Sequence, residues 1–217
     1  MSILTGEYDR SFDRVGFSGG GLRCFWQGGA VDALRQAGRF SPTHLAAASG
    51  GALTAASVVA DRGHDLKTVF RQHIEAADDN VRWSEISEDQ NMTPHQALYA
   101  DVVHEILDDD GQRRVANGPA FEVLLTKPPA ALPIAAASAM IMSLYQVDKM
   151  VRSTPHGMLA EAAGAEALWV DARQAAADGL LADLVCIAAT IPPVFDIKDW
   201  KGDRVIDAGI IDNAPLP

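Results

Sequence analysis

Cysteine is scarce in this chain, with only Cys24 and Cys186 among 217 residues. Two thiols cannot build a disulfide framework in a chain of this length, so free cysteines in a reducing compartment are expected. Positive charge is also short. Lys and Arg number 18 against 29 Asp and Glu, a formal charge of -11. That balance argues against a polyanion such as nucleic acid as a general partner and opposes docking on an anionic membrane. The first residues, Met1 to Arg14, include Glu7, Asp9, Arg10, Asp13 and Arg14 but no apolar core, so neither a signal nor a transit peptide is apparent. A cytosolic start is expected. A long unbroken apolar run is missing too. Residues 128–147 approach the ~20 residues of a membrane span, but Pro128, Pro129 and Pro133 break the first part. About 14 residues remain from Ile134 to Val147, enough for a buried or partly exposed helix rather than a span.

What is present suffices for one core. The chain is 48% hydrophobic and lies near the upper size of an undivided domain, so a single domain over 1–217 is expected. Val15 to Phe17 is a brief apolar run entering Ser18, Gly19, Gly20 and Gly21, a strand followed by a glycine turn. Ala30, Val31, Ala33, Leu34 and Ala37 follow with helical spacing, and Gly38 supplies a stop. Leu45 to Ala48 reads as a second strand, followed by Ser49, Gly50, Gly51 and an alanine-rich helix to about Arg62. Residues 64–127 are more polar and mostly helical in pattern, with turn signals at Asn91 to Pro94 and Asp108 to Gly111. Ala167 to Val170, Leu184 to Ala189 and Arg204 to Ile206 read as strands, the last leading into Asp207, Ala208 and Gly209.

Parallel strands joined by a helical crossover end on the same edge of a sheet, so the loops after Phe17 and Ala48 become neighbours. Ser49 sits between strand and helix, flanked by Ala47 and Gly51. A tight, strained turn of that kind admits only small side chains and presents the hydroxyl at a helix N-terminus, whose free amides favour developing negative charge. Gly19, Gly20 and Gly21 lack side chains, so their N–H groups can turn together toward one oxygen, as an oxyanion hole requires. A phosphate loop or an ordinary turn uses glycine as well. Neither Gly-X-Gly-X-X-Gly nor a P-loop is present.

A serine nucleophile needs a base, and in the α/β-hydrolase order a histidine follows both serine and acid. Here His44, His64, His73, His95, His104 and His156 all precede Asp207. Asp207 follows a strand and can take the serine proton directly, if the site excludes water and holds the carboxylate within ~3 Å of the hydroxyl. No histidine pair has metal-site spacing, and neither metal nor cofactor is expected.

Together these segments resemble the patatin-like phospholipase family. Ser18-Gly19-Gly20-Gly21-Leu22-Arg23 is similar to its glycine-rich first motif, Ala47-Ala48-Ser49-Gly50-Gly51 to its Gly-X-Ser-X-Gly elbow, and Asp207-Ala208-Gly209 to its late aspartate motif. Ile210 to Pro215 resembles the usual continuation, and Ala189 to Phe195, with Thr190, Pro192 and Pro193, the segment before it. The resemblance implies an α/β three-layer sandwich with a mostly parallel central sheet and a Ser-Asp dyad of Ser49 and Asp207. It also implies an oxyanion loop at Gly19 to Gly21, with Arg23 as the basic substrate-binding neighbour. Three positions depart from the pattern: Ala47 and Ala208 replace glycines, and Cys24 stands where a glycine often follows the basic residue.

The implied activity is hydrolysis of a fatty acyl ester on a phospholipid or other polar lipid, and with the cytoplasmic location expected from the N-terminus and the cysteines, membrane contact would be transient and peripheral. The resemblance leaves open whether an activator is needed. A catalytically silent or ligand-activated signalling module on the same fold, and an acyltransferase, are the alternative readings. The chain stops two residues after Pro215, where members commonly continue, so the resemblance also suggests a piece of a longer protein.

Overall fold

The computed structural model describes residues 11–76, 94–152, 156–192 and 197–216. Strand β1 (Phe12–Phe17) becomes buried only at its end, where Phe17 enters the core. A 3₁₀ turn over Gly21–Cys24 leads into α1 (Phe25–Gln36), and the chain returns as β2 (Phe40–Ala48) parallel to β1. The helix therefore starts earlier than the apolar spacing indicated. Its buried stripe is Gln27 and Val31, with Cys24 just before it, while Ala33 and Ala37 face outward.

Helix α2 (Gly50–Val59) carries no charge, and eight of its residues, Gly51 through Val58, are buried. A helix apolar on every side belongs in the interior. It packs against β1, β2, α1 and its successors α3 (Gly63–Ala76) and α5 (Asp109–Ala116), which bracket α4 (Pro94–Ile106). The turn signal at Asp108 marks the start of α5. Its carboxylate caps that helix by accepting from the Gly111 N–H at 2.8 Å. Of the Asn91 to Pro94 signal, residues 91–93 lie outside the described residues.

The mostly helical reading of 64–127 holds for these three helices and fails for β3 (Ala120–Lys127), the strand at the centre of the sheet. Phe121 and Val123 through Thr126 are buried on both faces of the sheet, so the alternation that marks a half-exposed strand is absent. Then come α6 (Ile134–Arg152), α7 (Met158–Ala162), β4 (Glu166–Asp171) and α8 (Ala172–Ala177). Helix α9 (Leu181–Ala188) precedes β5 (Lys198–Trp200) and β6 (Asp203–Asp207). The expected strand over Leu184 to Ala189 is thus a helix. Its residues are apolar almost all round, and a short buried helix cannot be told from a buried strand by periodicity alone.

The sheet runs β1-β2-β3-β6-β5, with β4 on β3. The parallel arrangement covers β1, β2 and β3, while β4 and β6 pair antiparallel with β3, and β5 with β6, giving a mixed six-stranded sheet. On one face Leu45, Ala47, Phe121, Val123, Leu125 and Val205 share a core with residues of α2, α4 and α9. On the other, Ile206 packs with Ile141 of α6, Ala160 of α7, Ile210 and Ile211. Helices therefore cover both faces, and each fully buried side chain the size of Phe121 contributes about 1.5–3 kcal/mol. Helix α6 accounts for the proline-broken apolar stretch. It lays Ala137, Ser138 and Ile141 inward and leaves Val147, Met150 and Val151 exposed. Among the described residues no helix is long and apolar enough to cross a membrane.

Candidate active site

Ser49 forms the whole of the turn between β2 and α2, with φ 52° and ψ −138°. A side chain other than glycine is strained there by about 1–3 kcal/mol, a conformation kept only where the surroundings enforce it. The enforcement is visible. A Cβ on Gly50 would lie 2.8 Å from the Gly21 carbonyl oxygen, and one on Gly51 2.6 Å from that of Ser18, so the elbow is jammed against the glycine loop.

Asp207 ends β6. Its N–H donates to the Thr190 carbonyl at 2.9 Å, fixing the backbone, and its Oδ1 accepts from the Gly209 N–H at 2.7 Å, fixing the carboxylate. The remaining oxygen, Oδ2, accepts the Ser49 hydroxyl at 2.5 Å. Ser49 is 6% and Asp207 2% exposed. Burial pushes the carboxyl of Asp207 up to about 6, against the opposing pull of the Ser49 and Gly209 hydrogen bonds. It is a stronger base than a solvated aspartate and is still largely ionised at neutral pH.

The glycine loop is anchored from the aspartate side. The Gly19 N–H donates to the Asn213 carbonyl at 2.9 Å, and the Asn213 side-chain amide donates back to the Gly19 carbonyl at 3.3 Å. A Cβ on Gly19 would collide with Asn213 Oδ1 and lie 2.8 Å from the Ser49 Cβ. Gly19 thus touches the serine while its own amide is already engaged. That leaves the amides of Gly20 and Gly21 as the donors this loop can turn toward an oxyanion. The Gly20 carbonyl accepts from the Arg23 N–H at 3.2 Å and from its Nε at 3.4 Å, so Arg23, exposed at the rim, also shapes the loop it follows.

The three departures from the glycine pattern are absorbed. Ala47 is fully buried between Phe17 and Val123, its partners in neighbouring strands. Ala208 packs with Ala48 and Leu124 in a small apolar cluster. Cys24 is buried and donates through Sγ to the Ser18 carbonyl at 3.2 Å. Burial and then the charge of Asp207 push its thiol up to about 11.

Ser49, Asp207 and the glycine loop are therefore brought together, with the Asp207 carboxylate in direct contact with the serine hydroxyl. His156 instead bonds Asp212 through Nδ1 at 2.9 Å. Three supporting residues carry no reactive signature in the sequence: Gln27, Thr190 and Asn213. Thr190 and Asn213 lie in segments that resemble the family pattern, whereas Gln27 shows only as a polar residue in the apolar stripe of α1, where Oε1 accepts from the Ser18 N–H and Nε2 donates to the Ser18 carbonyl.

The protein is thus an α/β protein whose mixed sheet is covered by helices, with a strained serine turn and a buried aspartate meeting at adjoining strand ends. The pattern of the patatin-like phospholipase family matches residues 16–217, and the chain belongs to that family, one of lipid acyl hydrolases. No curated protein matches it.

Proposed function

We propose that the protein hydrolyses a fatty acyl ester of a phospholipid or other polar lipid, with Ser49 as nucleophile and Asp207 as its base. The supporting observation is the buried 2.5 Å hydrogen bond between Ser49 Oγ and Asp207 Oδ2. Ser49 Oγ attacks the ester carbonyl while its proton passes to Oδ2, and the oxyanion is received by the amides of Gly20 and Gly21. Collapse expels the alcohol, which takes the proton back from Asp207, and leaves an acyl-serine. Water, deprotonated by the same carboxylate, then attacks the acyl-serine, and as the acyl–Oγ bond breaks Asp207 returns the proton to Ser49 Oγ and the fatty acid leaves. The exposed guanidinium of Arg23 at the rim suits a polar headgroup.

Incubation with a fluorophosphonate probe tests this reading, because it reports an activated serine whatever the natural substrate. Mass spectrometry should find the adduct on Ser49, and hydrolysis of a p-nitrophenyl acyl ester should disappear in Ser49→Ala. Labelling at another serine, or none at all, would sink the assignment.

A further inference from the structure

We propose that Gln27 is a positioning residue, which holds the glycine loop in the shape that receives the oxyanion; this rests on the acyl-hydrolase reading above. β1 is an edge strand of the sheet, paired with β2 alone, and the ladder between them ends with Phe17 opposite Ala47. Ser18, one residue further, is paired with no strand. The Gln27 side chain takes that place: Oε1 accepts from the Ser18 N–H at 3.0 Å and Nε2 donates to the Ser18 carbonyl at 2.9 Å. One side-chain amide thus supplies both bonds that a neighbouring strand would make, and it does so at 6% exposure, where water cannot substitute.

The Ser18 carbonyl and the Gly19 N–H belong to one peptide plane. Gln27, with Cys24 Sγ at 3.2 Å, holds the carbonyl end, and the Asn213 carbonyl holds the N–H end at 2.9 Å. With that plane pinned at both ends, the directions of the next two amides, Gly20 and Gly21, are set before substrate arrives. A pre-set donor needs no reorganisation as charge develops. Release of the carbonyl end frees the plane to rotate about Gly19, which has no side chain to resist.

A residue that acts this way affects turnover more than substrate binding. Gln27→Met keeps the length and removes both bonds. It should lower kcat on a p-nitrophenyl acyl ester by about tenfold or more with KM within roughly twofold, and fluorophosphonate labelling should slow in parallel. Hydrogen exchange at Ser18 through Gly21 should quicken by a similar factor while β2 and α2 keep their protection. Gln27→Glu supplies the second arm. A protonated carboxyl repeats both bonds of the amide, whereas an ionised one cannot donate to the Ser18 carbonyl. This variant should therefore follow the parent's rise in activity as the Asp207 base ionises and then lose activity on an alkaline limb that the parent lacks.

Unchanged kcat in folded Gln27→Met, unchanged exchange in the loop, or a parent-like alkaline profile in Gln27→Glu would overturn the proposal. If the parent protein neither hydrolyses ester nor takes the probe, yet Gln27→Met speeds exchange only in the loop, the acyl-hydrolase reading falls and the loop-holding role stands.

Discussion

Ala48 and Asp207 face consecutive residues of one strand: Ala48 lies opposite Leu124, and Asp207 opposite Leu125. The other edge of β3 is filled by β4 from Glu122 to Lys127, so β2 and β6 share the remaining edge end to end. Where β2 finishes, β6 takes over. Ser49, the residue after Ala48, is thereby delivered to the carboxylate at the end of β6, across 158 positions of sequence.

The strain at Ser49 makes an unusual ordering of stabilities. Ser49→Gly and Ser49→Ala both remove the hydroxyl, but only glycine is at ease at φ 52°. The glycine variant should be the more stable by about 1–3 kcal/mol, the reverse of the usual order of these two residues. Chemical denaturation of both variants reads the difference directly.

Asp207 should oppose stability while it serves catalysis. Its folded pKa, about 6, lies above the ordinary 3.8, so the folded state holds the proton more tightly than the unfolded chain. The contribution is fully favourable below pH 4 and is lost as pH rises through about 6, a difference on the order of 3 kcal/mol. Asp207→Asn should accordingly be inactive, yet more stable than the parent at pH 8, with the gap closing toward pH 4. In the parent, kcat/KM should rise with pH through about 6 as the base ionises.

Gly20→Ala tests the donors. Its φ of 155° disfavours a side chain, although the nearest atom to an added Cβ, Cys24 Sγ, is 3.5 Å away, so the fold should survive while the loop amide shifts. Turnover should fall by about 100-fold on both a phospholipid and a p-nitrophenyl ester, with little change in KM. Full activity on the neutral ester, with a raised KM for phospholipid alone, would instead make the loop a phosphate cradle.

The thiols should be unreactive. Burial pushes Cys24 up to about 11 and Cys186 up to about 12, which leaves little thiolate at pH 8. Iodoacetamide should leave the native protein unmodified at both positions and fully active; loss of activity upon alkylation of Cys24 would contradict this.

The sequence by itself determined the turns that meet at the candidate site. Ser49 between small residues, the run Gly19 to Gly21 and Asp207 before Gly209 are all local demands on backbone shape, and only certain residues meet them. It also determined that the apolar part of α6 stays short of a span, since Pro133 precedes the helix and Asp148, Lys149 and Arg152 make its last turns polar. The identity of buried runs was beyond it: Leu184 to Ala188 lies in a helix and Ala120 to Lys127 in a strand, and each is largely apolar and buried, which erases the periodicity that separates the two. Tertiary structure alone decided that β3 would align serine and aspartate, that the Gly19 amide would be taken by Asn213, and that Gln27 would stand in for a strand beside Ser18. It also decided the basicity of Asp207, because a carboxyl's affinity for its proton depends on the water that other segments exclude, and no stretch of neighbouring residues encodes that.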